Sequence, residues 1–296
     1  MGAVDAFVRT FTIMLAAKRL YLLALILALI MAPISAYLIP STPPQLGYNE
    51  SFRNGSVIVE EYGAPSEEEI VGIIEEFAKA MAIILVLSLL LGSVFQYAIT
   101  KGALLHIEDK EYSLPALLLS GLRHLPGVLV INLVFSVVSL ALIGVSLVPV
   151  FVGILKLPWG LILVFIGLVL TLTIAAVVSS LGAIPVPIYA EKDSVGAAFE
   201  AFGLVFNNLL SSMGFGFLLW VGIIGITVIS SPIAFIVSVI APENVAPYVS
   251  GLLQAPFSAL LYEFMWVAGV AFYKELQKKE ELKKVDEELM GLGVEV

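Results

Sequence analysis

Glu263 is the single carboxylate deep inside an apolar stretch of this 296-residue chain, in the run Gln254-Ala-Pro-Phe-Ser258-Ala-Leu-Leu-Tyr262-Glu263. An ionised side chain at such a depth costs at least about 2.5 kcal/mol on insertion scales, so it must be neutral, hydrated or paired. Gln254, Ser258 and Tyr262 recur four apart, which on a helix stacks them into one polar stripe, and Glu263 borders that face. These four residues form the candidate intramembrane polar site. The chemistry open to them is that of a proton-coupled carrier site or a ligand anchor. The plainer alternative is a neutral Glu263 that donates one hydrogen bond to a neighbouring helix.

Little else in the chain has the residue types that chemistry needs. Cysteine is absent, which removes disulfides, thiolate nucleophiles and cysteine metal sites. With His106 and His124 the only histidines, no histidine-rich metal site is expected. No nucleophile with its base, no metal-ligand cluster and no pair of carboxylates stands at usable spacing, so we expect no enzyme, no metal and no cofactor. No nucleotide-binding fingerprint follows a strand, and no nucleic-acid partner is expected. Pro185 and Pro187 are candidate helix breaks that free backbone carbonyls, as Pro232 and Pro256 do elsewhere. Broken helices serve as binding sites in transporters, but a pair at the end of a span reads as a structural bend. Asn132, Asn207 and Asn208 read as interhelical or interfacial hydrogen-bonding groups. Arg123 and His124 could touch lipid phosphates, or Arg123 could simply snorkel from a helix end.

The elements that carry these residues follow from composition. The chain is 60% apolar and 13% charged, with a mean hydropathy of +1.04, whereas a soluble domain carries about 25% charge. This is the composition of an integral membrane protein. Six stretches reach the roughly 20 apolar residues that a spanning helix needs, at 20–40, 77–100, 126–148, 158–190, 209–240 and 249–273. An even number puts both termini on one side. Twelve of the fifteen Lys and Arg residues then fall together, in the N-terminal segment, the second and fourth connections and the tail. Basic residues near span ends are retained in the cytoplasm. We therefore expect a multi-pass protein of the cell membrane with both termini cytoplasmic and loop 41–76 extracytoplasmic.

That loop has its own pattern. Asn54-Gly55 separates two short arms and predicts a small β-hairpin. Ser66 followed by Glu67, Glu68 and Glu69 is a capping box with an acidic first turn, which starts the second spanning helix near Glu67. Asn49 and Asn54 each begin an N-glycosylation acceptor sequence and are the candidate glycosylation sites. In the fifth stretch Gly214, Gly216, Gly222 and Gly225 allow tight helix packing, within one bundle or between two.

Three segments before the odd-numbered spans share a pattern of small residues four apart: Ala6 and Thr10, Ala116 and Ser120, Ala197 and Ala201. Each reads as an amphipathic helix that lies along the headgroup boundary and leads into a two-span hairpin. The fold class is thus all-α, with six transmembrane helices as three hairpin units, each preceded by a cytoplasmic amphipathic helix, and a small extracytoplasmic β-hairpin. Residues 1–276 form a single membrane domain with loop 41–76 inserted, and 277–296 a cytoplasmic helical tail.

The run Ala183-Ile-Pro185-Val-Pro187-Ile-Tyr-Ala-Glu191, with Ser194-Val-Gly-Ala197-Ala-Phe199, Leu204-Val-Phe-Asn207 and Phe272-Tyr273-Lys-Glu-Leu276, resembles the polytopic family typified by the membrane domain attached to some glycerophosphoryl diester phosphodiesterases. The resemblance implies six helices with cytoplasmic amphipathic segments. The phosphodiesterase domain itself is expected to have no counterpart here, because the longest soluble stretch is far too short for a barrel. The expected function is that of a non-enzymatic, lipid-facing or partner-binding membrane component. Its partners would be membrane lipids and an unidentified protein. The alternative is a secondary transporter or lipid-handling carrier with a cavity around Glu263.

Overall fold

The structure, a computed structural model, describes residues 2–38, 48–53, 56–61, 67–242 and 245–291. Six of its helices are long and apolar enough to cross a membrane. In chain order the elements are α1 (Gly2–Ala16), α2 (Arg19–Leu38), strands β1 (Tyr48–Arg53) and β2 (Ser56–Glu61), α3 (Glu67–Ile107), α4 (Leu114–Leu155), α5 (Leu161–Ala183), α6 (Pro185–Lys192), a 3-10 turn (Gly196–Phe199), α7 (Glu200–Asn207), α8 (Leu209–Ile240) and α9 (Ala246–Gly291). The strands pair antiparallel, with Asn49 opposite Glu60 and Arg53 opposite Ser56. Asn54, Gly55 and Ser66, on which the turn, one acceptor sequence and the capping box depend, lie outside the described residues.

Several helices outrun the apolar windows in the sequence. α3, α4 and α9 have 41, 42 and 46 residues, or about 60–70 Å of helix against a hydrocarbon core of about 30 Å. The segment expected as a separate amphipathic helix before Pro126 is the first part of α4, which runs through that proline unbroken. A proline removes one helical hydrogen bond, and neighbouring helices and local adjustment absorb the loss. Pro232 in α8 and Pro256 in α9 are likewise carried inside continuous helices.

The chain does break beside the Pro185/Pro187 pair. α5 ends at Ala183, Ile184 intervenes, and Pro185 opens α6 in the first turn, where its missing N–H is not needed. Pro187 breaks nothing and lies inside α6. The short helix closes on Asp193 in a left-handed conformation, φ 52°, whose N–H bonds back to the Tyr189 carbonyl.

The leading segments differ from one another. In α1 both small residues, Ala6 and Thr10, are fully buried, and the helix packs broadly on α9. Before α8, the buried pair is Ala198 and Ala201 rather than Ala197 and Ala201. Ala116 of α4 is exposed, and the buried residue beside it is Leu117. α4 and α5 pack closely along their lengths as a hairpin. α2 touches its chain neighbour α3 but has its larger interface with α9, so the first and last spans lie together.

The packed core gathers at one end of the bundle, where most of the Lys and Arg also lie. Phe215 of α8 stacks on Phe272 of α9 at 4.0 Å between centroids, and Tyr97 of α3 stacks on His124 of α4 at 4.4 Å. Polar ties fix the same region. Lys274 Nζ donates to Glu191 Oε1 at 2.9 Å, Lys101 Nζ to the Ala190 carbonyl at 2.7 Å, and Arg9 Nη1 to Glu275 Oε1 at 3.2 Å. Close helix approach requires glycine at several crossings, Gly216 and Gly269 among them. A Cβ on Gly216 would strike the Ala176 carbonyl of α5, and one on Gly269 the Ala183 carbonyl. Gly222 receives the Phe264 ring, whereas Gly225 faces open space.

The opposite end is loosely packed. From residue 70 to 90 of α3 nearly every side chain except Ala80 is exposed or half-exposed. The same holds for 221–240 of α8 apart from Val237. These faces carry Val86, Phe235 and Ile236 outward.

Candidate functional site

The sequence stripe resolves into two places. Gln254, Ser258 and Tyr262 line one groove of about 500 Å³ between α2 and α9, together with Ser35 and Ser250. Gln254 Nε2 donates to Ser250 Oγ at 2.7 Å, and Tyr262 stacks on Trp266 at 5.5 Å. Spacing of four on a continuous helix brings these three together. Glu263 is not with them. One residue is a rotation of about 100°, which turns its side chain from the groove into the bundle.

There it is 2% exposed, with its Oε1 lacking a hydrogen-bond partner among the described residues. Phe264 beside it contacts Phe7 and Phe11 of α1 with centroids at 6.1 and 5.7 Å. Glu263 lines neither the α2/α9 groove nor any of the three cavities described next. A cavity around Glu263, on which the carrier alternative depends, is thus not among these four.

A second cavity, about 450 Å³, sits where the α1–α2 junction meets the α3–α4 connection and is bordered by Lys18, Arg19, Lys110, Glu111 and Tyr112. Lys110 is paired with Glu108 at 2.6 Å. Burial raises the Tyr112 phenol above its ordinary 10.0; the Arg19 charge opposes the rise and the Glu263 carboxylate adds to it.

A further polar assembly inside the bundle joins Asn132, expected as an interhelical hydrogen-bonding group, to residues that the sequence reading did not single out. Asn132 of α4 donates through Nδ2 to Gln96 Oε1 at 2.9 Å and Ser93 Oγ at 3.3 Å, both on α3. Trp220 Nε1 of α8 donates to Ser179 Oγ of α5 at 3.0 Å. Gln96, Thr100, Ser179 and Trp220 line a cavity of about 270 Å³ among α3, α5, α8 and α9, with Pro187 of α6 also on its wall. Gly182 lines this cavity and also a neighbouring one of about 390 Å³ bordered by Asn132, Ser136 and Ser139. The available signal was Ser93, Gln96 and Thr100 at i, i+3 and i+7, a polar face on an otherwise apolar helix.

The other asparagines serve locally. Asn208 Nδ2 donates to the Leu204 carbonyl at 3.0 Å, its Oδ1 lacks a partner among the described residues, and Asn207 is exposed. His124 is tied at both ring nitrogens, to the Ser120 carbonyl at 2.7 Å and Asp193 Oδ1 at 3.0 Å, while Arg123 points outward. No group of three or more His, Asp or Glu side chains that could hold a metal occurs among the described residues. The chain matches no protein-family model, no curated protein and no solved structure.

Proposed function

We propose that this chain is a non-enzymatic, lipid-facing component of the cell membrane, with both termini in the cytoplasm and loop 41–76 outside. On this reading its likeness to the membrane domain attached to some phosphodiesterases is one of architecture. The observation that carries the reading is the contrast between the two ends of the bundle. One end is tied by ion pairs and stacked rings, while α3 over 70–90 and α8 over 221–240 present apolar side chains with few protein neighbours. In a bilayer such faces are solvated by acyl chains, so lipid becomes part of the wall of the molecule.

A photocrosslinking residue at Val86 or at Val228, which are 52% and 62% exposed, tests this in native membranes. Lipid adducts at both positions are the expected result. A discrete protein adduct at both would turn the reading to partner binding. The carrier alternative is tested separately by Glu263→Gln in reconstituted vesicles. Unchanged proton-coupled flux removes a coupling role for that carboxyl.

A further inference from the structure

α1 presents three different faces. At about 100° per residue, Ala6, Thr10, Ile13 and Met14 fall on the side buried against the bundle. Val4, Val8, Phe11 and Leu15 fall together on a second side, and all four are exposed. Asp5, Thr12 and Ala16, also exposed, share the third. A helix with an exposed apolar face beside an exposed polar one lies at the headgroup boundary of a bilayer, its apolar face toward the acyl chains. Leu15, 71% exposed, ends the apolar face one residue before Ala16, which is on the wall of the cavity of about 450 Å³ at the α1–α2 junction. That cavity therefore opens at headgroup depth.

Four of the seven residues lining it are charged: Lys18, Arg19, Lys110 and Glu111. Lys110 is paired with Glu108 at 2.6 Å, and the other ion pairs among the described residues involve neither Lys18 nor Arg19. Two open cations against Glu111 leave the wall a surplus of one positive charge. Arg19 is the first residue of α2 and Lys18 precedes it, so the positive end of that helix adds to their charge. A head with a single net negative charge neutralises the surplus. A zwitterionic head leaves it in place, and a dianionic phosphate monoester exceeds it. Tyr112, half-buried on the same wall, supplies a phenolic O–H of the kind that donates to phosphate oxygens.

We propose that this cavity binds the headgroup phosphate of a monoanionic phospholipid of the cytoplasmic leaflet, with Lys18 and Arg19 on the phosphate oxygens and an acyl chain along the exposed apolar face of α1. That face is what separates a lipid from free phosphate, because a soluble anion would use the cations and leave four exposed apolar side chains unmatched. The volume falls within the roughly 300–1,000 Å³ of ordinary ligand pockets. Basic pockets at the cytoplasmic ends of spanning helices suit acidic lipid heads, which that leaflet supplies. The assignment deepens the lipid-facing reading above and rests on it.

The test uses the full chain in phosphatidylcholine nanodiscs with a phosphatidylglycerol analogue that bears a diazirine in its acyl chain, mapped by mass spectrometry after photolysis. Adducts are expected within 4–19, at least about fivefold more than from the matching phosphatidylcholine analogue. Excess dioleoylphosphatidylglycerol should remove most of them, while millimolar glycerol phosphate leaves them unchanged. Lys18→Gln with Arg19→Gln should lower them about tenfold or more, at about fivefold for each cation. Lys283→Gln with Lys284→Gln, on the exposed tail, should have no effect. The lipid comparison is run on the unaltered chain and so holds whatever the variants do to folding. Equal labelling by the phosphatidylcholine analogue, an equal loss from the tail pair, or adducts insensitive to the Lys18 and Arg19 changes at unchanged melting temperature overturns the assignment. Competition by glycerol phosphate would make this a site for free phosphate and overturn the lipid. All of these leave the lipid-facing reading standing while lipid adducts persist at Val86 and Val228; protein adducts there overturn that reading itself.

Discussion

Glu263 shows how one residue of helix rotation separates a carboxyl from the polar stripe that it borders in the sequence. It is 2% exposed with Oε1 unpartnered among the described residues, and a buried polar group in that position pays its desolvation without full return. Glu263→Met keeps the length and removes the carboxyl, and is expected to raise stability by about 1–3 kcal/mol. Thermal unfolding in detergent measures it; a lower melting temperature would mean that the carboxyl holds a partner. Tyr112 gives the pH counterpart. Its phenol is raised above 10.0 mainly by burial, so the folded state keeps its proton more tightly than the unfolded chain. The stability it contributes is complete below about pH 10 and is lost as pH rises through the folded value. Tyr112→Phe should therefore flatten the alkaline limb of a stability-against-pH curve and leave the neutral region unchanged. An alkaline limb identical in the variant would assign that loss to other groups.

At the scale of elements, glycine placement decides how near helices come. Gly216 meets the Ala176 carbonyl directly, whereas Gly225, nine residues on in α8, meets nothing within 4 Å. Gly216→Val should destabilise by about 1–3 kcal/mol through overpacking, with Gly225→Val close to neutral; equal effects at both sites would mean that helix propensity, not the crossing, governs the loss. The apolar stretches were readable because hydropathy over about 20 residues is a local sum. Helix ends were not, since a helix needs no apolar residue to continue: α3 extends from Glu67 to Ile107, and α4 absorbs the segment expected as a separate helix. The same distinction separates the two polar sites. Gln254, Ser258 and Tyr262 stand on one helix and their meeting was legible from spacing. Gln96, Thr100, Ser179 and Trp220 come from three helices up to 124 positions apart, and only packing brings them together. The break between α5 and α6 was marked by its prolines but falls one residue before the first of them, because Pro185 is better used opening a helix than ending one.

For the whole molecule, the sidedness proposed from Lys and Arg makes a simple prediction. The chain has no cysteine, so a single one introduced at Ser56 or at Lys278 is a clean reporter. A membrane-impermeant maleimide added to intact cells should label the first and spare the second. The reverse pattern would invert the protein in the bilayer, and with it the side on which the basic, closely packed end lies.

α9 has a mechanical consequence for that packed end. It is a single helix from Ala246 to Gly291, with Ser258 on a groove, Phe272 in the core and Leu282 exposed beyond it. At about 1.5 Å per residue it is a rod of about 69 Å, and a rod is a lever where a flexible linker is only a tether. A load applied near Leu282 would be delivered as torque to the Phe215–Phe272 stack and to the seam with α2, rather than dissipated at the membrane surface.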